Sequence, residues 1–281
     1  MSTAEPQSRV PLIIEAGRSD REYWWDLWRY RELFFILAWR DVAVRYKQTV
    51  IGAGWAFVRP FLTMVVFTVL FGHLARLANT TGVPYAIMVF AGLLPWTLFS
   101  AVLGDVSTSV IANSHLISKV YFPRMIVPLS TVVVALVDFT VSLVILVGLM
   151  VWYFYVPGWQ ILLLPVFVVL ALLAGIGPAL WAAAVIVKYR DFRFLIPFGL
   201  QFGLYVSPVG FASSVVPEKW RLLYSINPVV GVIDGFRWCI IGGDSPIYWP
   251  GFLISLMVVA FFLWLGIRTF RNTERGFADL A

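Results

Sequence analysis

Charged side chains are scarce in this chain of 281 residues: Asp, Glu, Lys and Arg make up 13% of it, whereas 60% is hydrophobic. A soluble domain carries about 25% charge, so a water-exposed globular protein is excluded. Cysteine occurs once, at Cys239, which rules out an internal disulfide and any Cys/His zinc spacing. Histidine occurs only at His73 and His115, in separate polar stretches. No metal cluster follows from them. The phosphate-cradling pattern G-x-x-x-x-G-K-[ST] and the nucleophile elbow G-x-S-x-G are both missing. The first twenty residues are polar and include Glu5, Glu15 and Asp20, unlike a secretory signal, which needs a basic start and an apolar core.

What the chain has in quantity is apolar length. A bilayer core is crossed by about 20 apolar residues, and six runs approach that length: 60–77, 84–106, 127–155, 161–187, 194–211 and 248–267. The predicted fold is an all-α integral membrane protein. A polar tail (1–21) and an interface helix (22–48) precede a transmembrane domain (49–270), and a second polar tail (271–281) follows it. Gly52-Ala53-Gly54 separates the interface helix from the first span, and Gly175, Gly177 and Pro178 interrupt the fourth. The net charge of +6 flanks the apolar runs rather than forming a nucleic-acid surface. Of the 21 Lys and Arg, only Arg76, Lys219, Arg221 and Arg237 fall on one side of this arrangement. By the positive-inside rule the other side, with both termini, is cytoplasmic.

Three stretches cannot span. Residues 22–48 alternate aromatics with Arg and Lys. Phe35, Trp39, Val42 and Tyr46 share one helical face, with Arg40 and Arg45 among the basic residues. Asp41 and Arg45 stand at pairing distance, i and i+4. The stretch reads as an amphipathic helix in the membrane interface, or else as a cytosolic helix packed on a partner. Residues 113–122, between spans two and three, begin at Asn113, a good N-cap, and end before Pro123. Leu116, Ile117, Val120, Tyr121 and Phe122 are apolar there and Ser118 and Lys119 polar. This is either a short docking helix at a cytoplasmic hairpin tip or a simple capped turn. Residues 215–243, on the outer side, hold two short apolar pieces split at Asn227-Pro228. They read as two re-entrant helices, tolerated at membrane depth only where protein or a watery cavity surrounds them; a surface loop is the alternative.

Charge and aromatics inside the spans narrow the chemistry. Asp138 lies near the middle of the third span, either as a proton site or as interhelical hydrogen-bond glue. Asp234 and Arg237 are spaced to pair across one helix face. Trp220 accompanies them in the outer segment. Trp55, Trp96, Phe99, Phe202 and Tyr205 lie in or beside the spans, where aromatic faces can stack on sugar rings and so line a path, or simply pack helices.

Four blocks together carry a family resemblance: YKQTVIGAGWAFVRPFLTMVVFTVLFG (46–72), FAGLLPWTLFS (90–100), NSHLISKVYFPRMIVPLS (113–130) and VPEKWRLLYSINPVVGVIDGFRWCIIG (216–242). KYRDF (188–192) adds a fifth. In this order they resemble the membrane subunit of ABC-2-type polysaccharide exporters, over roughly residues 30–270. One departure is Gly52-Ala53-Gly54-Trp55, where relatives often carry Pro after the first Gly. The resemblance implies a homodimer in the bacterial inner membrane, working with two separate ATPase chains that bind ATP and Mg²⁺, with no cofactor in this chain. It implies that 113–122 is the ATPase-coupling helix, that 32–47 is an interface or gate helix, and that the outer re-entrant helices cap a channel for a lipid-linked polysaccharide such as O-antigen. Competing readings are an ABC-2 permease for teichoic acid, a small lipid or a drug, and a membrane-embedded glycosyl or acyl transferase. The transferase requires a carboxylate–His or D-x-D constellation at a membrane face, and the sequence has none.

Overall fold

The computed structural model describes residues 20–47, 52–74 and 82–274. Most of both polar tails, and the link 48–51, lie outside the described residues. Every element within them is helical. Five helices are long and apolar enough to cross a membrane, over Gly54–Gly72, Tyr85–Ala112, Ile126–Trp152, Trp159–Lys188 and Trp249–Thr273. That is one fewer than the six spans expected from sequence.

The expected single interface helix is two, α1 (Asp20–Arg29) and α2 (Arg31–Lys47). They bend at Tyr30 rather than break. The Tyr30 N–H still bonds the Asp26 carbonyl at 2.9 Å, and the Phe34 N–H bonds the Tyr30 carbonyl at 3.1 Å. α3 (Gly52–Phe67) begins earlier than the apolar run suggested and continues as π-helical turns over Thr68–Leu74.

α4 (Tyr85–Ala112) is apolar all round and is the central helix, as such a composition requires. It packs against α6 (Ile126–Trp152), α7 (Leu164–Lys188) and α10 (Pro228–Ile241). α7 is continuous, although Gly175, Gly177 and Pro178 were expected to interrupt it. These glycines serve packing. A Cβ at Gly175 would meet Val102 of α4 at 3.0 Å, and one at Gly177 would meet the Leu263 backbone nitrogen of α11 (Trp249–Thr273) at 2.6 Å. Gly266 of α11 faces Gly177 in turn. Small residues let two backbones approach this closely, the usual device where lipid offers no hydrophobic drive between helices.

The missing sixth span is α8 (Phe192–Val206). Its 15 residues cover about 22 Å at 1.5 Å per residue, short of a hydrocarbon core of about 30 Å. Pro208 cannot continue a helix and disfavours helical geometry at Ser207, so 207–211 run on without helix. α7 ends at the same end of the bundle as the α4–α6 connection, whereas α11 starts at the opposite end. The chain between Lys188 and Trp249 therefore passes from one end to the other.

Two short helices, α9 (Glu218–Tyr224) and α10, sit at that far end. Asn227 caps α10 by accepting the Val229 N–H at 3.1 Å, with Pro228 in the first turn. The α10 end meets Tyr155, just past α6, whose hydroxyl donates to the Ile241 carbonyl at 3.1 Å. The α9–α10 turn instead meets α11 a turn and a half inward, where the Ser255 hydroxyl donates to the Ser225 carbonyl at 2.8 Å. The turn between α9 and α10 thus packs further along α11 from that end than the α10 terminus packs along α6.

Gly177→Val should lower the midpoint of thermal unfolding in detergent, because both sides of the contact are backbone and cannot yield. Overpacking of this kind costs about 1–3 kcal/mol. Gly148→Ala, where a Cβ meets nothing within 4 Å, should leave the midpoint unchanged.

Candidate functional site

The α4–α6 connection folds as a short helix, α5 (Ser114–Lys119), with residues 120–125 completing the tip. Asn113 occupies the N-cap position but does not cap with its side chain. Its Nδ2 donates to the Ser109 carbonyl at 2.9 Å, and its Oδ1 accepts from Arg40 of α2 at 2.6 Å. The apolar residues of the tip divide into two sets. Ile117 and Phe122 are 5% and 4% exposed and join the core, with Leu116 packed against it. Val120 and Tyr121 are 52% and 57% exposed, beside exposed His115, Ser118 and Lys119. The tip is anchored on one side and presents an apolar pair on the other.

α2 is bound to the helices behind this tip. It packs along α6 with Leu37 and Ala38 buried, while Phe35 and Trp39 face outward. Arg45 does not pair with Asp41. It reaches Asp105 of α4 at 2.9 Å and Asp138 of α6 at 2.8 Å. Asp41 takes its own neighbour Arg40 at 2.7 Å. The Tyr46 hydroxyl donates to Asp138. Burial, with the Asp138 carboxylate behind it, raises the Tyr46 phenol above its ordinary range. Burial works against the Arg45 cation, but Asp138 and Asp105 outweigh it and hold its pKa above the usual value. Asp138 is therefore shared glue between α2 and α6, and one cation bridges three helices. The i, i+4 pattern could not reveal this, because both carboxylates are far away in sequence.

α1 joins the same end of the bundle. The Tyr23 hydroxyl donates to Glu274 just past α11 at 2.8 Å, and the Arg271 guanidinium lies 4.6 Å over the Tyr23 ring.

At the far end Arg237 is 1% exposed. Its guanidinium was expected to pair with Asp234. It donates instead to the carbonyls of Phe211 at 2.7 Å and Val209 at 2.8 Å. Asp234 instead shares a small pocket with Ser213 and Tyr224. Trp220 is exposed on α9. Among the aromatics, Trp55, Phe202 and Tyr205 are exposed, whereas Trp96 and Phe99 are buried, their rings 5.5 Å apart. Tyr205 of α8 stacks on Phe67 of α3 at 6.4 Å. The exposed and buried sets share a spacing, so sequence could not divide them.

A bundle of long apolar helices with a short helix exposed at one tip is the architecture of a multi-pass membrane protein. The ABC-2 type transporter family matches residues 32–241, and the chain belongs to that family of multi-pass transport permeases. Among its relatives, the O-antigen export system permease protein RfbA of Myxococcus xanthus is 28% identical over 256 residues, covering 90% of this chain and 97% of that protein. A Klebsiella pneumoniae protein of the same name is 25% identical, covering 84% of this chain and 93% of its own length. The inner membrane transport permease YadH of Escherichia coli K12 is 25% identical, covering 73% and 84%.

The three-helix node is open to a mutant cycle. Arg45→Ala strands two carboxylates and should destabilise the chain more than Arg45→Ala combined with Asp105→Asn and Asp138→Asn. A coupling of about 0.5–3 kcal/mol is expected for side chains in direct contact, read from unfolding midpoints in detergent. Additive effects would mean the bridge carries no energy.

Proposed function

We propose that the chain is the channel-forming subunit of an ATP-driven exporter of a lipid-linked, O-antigen-like polysaccharide. Two copies assemble with two separate ATP-binding chains, which supply the ATP and Mg²⁺ sites. The observation that carries this reading is the alignment of O-antigen export permeases with nearly the whole chain. The missing phosphate loop supports a separate chain as the site of ATP hydrolysis.

The tip end of the bundle is cytoplasmic on this reading. It gathers the basic residues of the α4–α6 and α7–α8 connections and the end of α11. α8 with 207–211 makes the sixth crossing, so the number of crossings is even and both termini share the cytoplasm of the bacterial inner membrane. α9 and α10 then re-enter from the outside, in agreement with where their turn packs along α11. Their polar backbone is tolerable there because protein surrounds α10.

The ATPase takes the exposed face of the tip. An apolar pair such as Val120 and Tyr121 has little reason to stand free on a water-facing loop, and Ile117 and Phe122 give it rigid backing. α3 and α8 present broad apolar and aromatic faces, and the two copies meet along them to enclose the path. Trp55, Phe202 and Tyr205 are placed to contact the sugar chain. Trp96 and Phe99 support α8 from behind: a Cβ at Gly203 of α8 would meet the Trp96 ring at 2.8 Å.

Buried interface anchors cost about 2 kcal/mol or more when removed, roughly thirtyfold in affinity. Val120→Asp and Tyr121→Asp should each abolish export and weaken co-purification of the ATPase by about that factor, while insertion and dimerisation persist. Full ATPase recovery and export in both variants would contradict the docking role. Deleting the chain and finding the cell-surface polysaccharide unchanged would contradict the exporter reading itself.

A further inference from the structure

α8 differs from the other long helices in its packing. None of its residues is buried, yet the residues that follow it, Ser207, Pro208, Val209 and Gly210, all are. Side chains from the surrounding elements close on this stretch. Tyr224 donates to the Val206 carbonyl at 2.7 Å, and Asn227 Nδ2 donates to Ser207 Oγ at 3.0 Å. Arg237 bonds the Val209 and Phe211 carbonyls, and its Nε points to the Met88 carbonyl of α4 at 3.4 Å. Tyr85 of α4 donates to the Gly210 carbonyl. The Val206, Val209, Gly210 and Phe211 carbonyls have left the helical ladder, and inside an apolar bundle each needs a donor. A guanidinium meets several at once because its five N–H groups form a rigid fork. α4 makes room for it at Gly92, where a Cβ would lie 2.8 Å from Arg237 Nη2.

α3 reaches the same place. A Cβ on Gly210 would lie 2.7 Å from the Phe67 ring and 2.8 Å from the Phe71 ring. Two sparsely buried helices, α3 and α8, thus converge on one buried point held by the most deeply buried elements, α4 and α10.

We propose that this knot is a fixed pivot shared by α3 and α8, and that Arg237 is the positioning residue that holds it while the bodies of both helices swing. The proposal rests on the exporter reading, in which these helices border the path. A lysine at 237 keeps the charge but loses the fork. Arg237→Lys should therefore leave ATP hydrolysis by the assembled complex running while export per ATP falls about tenfold, the equivalent of one lost charge-assisted hydrogen bond.

Cysteine bridges test the pivot without depending on how that variant folds. The pair Phe71→Cys and Gly210→Cys ties α3 to the knot. The pair Gly104→Cys and Leu200→Cys ties the body of α8 to α4, where Leu200 packs beside Gly104. Each is bridged with a short bifunctional thiol reagent in cells carrying the complete exporter, and the strain's own surface polysaccharide is followed before and after bridging. The first bridge should leave export within about twofold of the unbridged protein, and the second should arrest it. Arrest by the first bridge, or none by the second, overturns the pivot. Such a result leaves the exporter reading in place, since the unbridged proteins export.

Discussion

Every polar group carried into an apolar bundle has to find a partner there, and the architecture follows from how this chain meets that demand. Hydroxyls on α4 and α6 fold back onto their own helices: Ser107 donates to Gly104, Ser109 to Val106, Ser130 to Val127 and Ser142 to Asp138. Such local bonds need nothing from neighbouring helices. The ionised groups cannot be served locally, and they tie the fold together over distance. Arg45 joins α2 to α4 and α6, and Arg237 joins the end of α8 to α4 and α10. Each cation is satisfied by groups remote in sequence, so neither site exists until the bundle has formed.

These ties lie at opposite ends of the same central helix. At one end α4 carries the tip, to which Arg40 fastens α2 through Asn113 at 2.6 Å. At the other, Tyr85 and Met88 of α4 belong to the knot around Arg237. The tip that carries Val120 and Tyr121 is therefore tied to both α2 and α4. α3 and α8 bury few side chains within the chain, which on the proposed reading leaves their faces for the second copy and the path. The division between a tightly packed frame and loosely packed helices is what a transporter requires: the frame holds its shape while the path changes width.

Much of this was legible in the sequence, because hydropathy and the bilayer leave little choice. The long helices, the hairpin tip, the split at Asn227-Pro228 and the family all follow from apolar length and from short motifs. What escaped has identifiable causes. The fifth run looked long enough because 208–211 carry no polar side chain, but Pro208 ends the helix and the stretch is instead the knot. Gly175, Gly177 and Pro178 looked like an interruption because glycine weakens a helix in water, whereas here it lets α7 approach α4 and α11. Asp41 and Asp234 looked like partners for Arg45 and Arg237 because local spacing is all that a sequence displays. The structure gives both arginines to more distant groups. Asn113 was recognised as a cap, and its side chain instead receives Arg40.

The account depends most on α8 completing an even number of crossings, so that the tip and the α9–α10 hairpin face opposite sides of the membrane. Single cysteines at Ser118 and Glu218, both exposed, introduced with Cys239→Ala and treated with an impermeant thiol reagent in intact cells, test this directly. The account predicts that Glu218→Cys is labelled at once and that Ser118→Cys is labelled only after the inner membrane is opened. Labelling of both from the same side would contradict it.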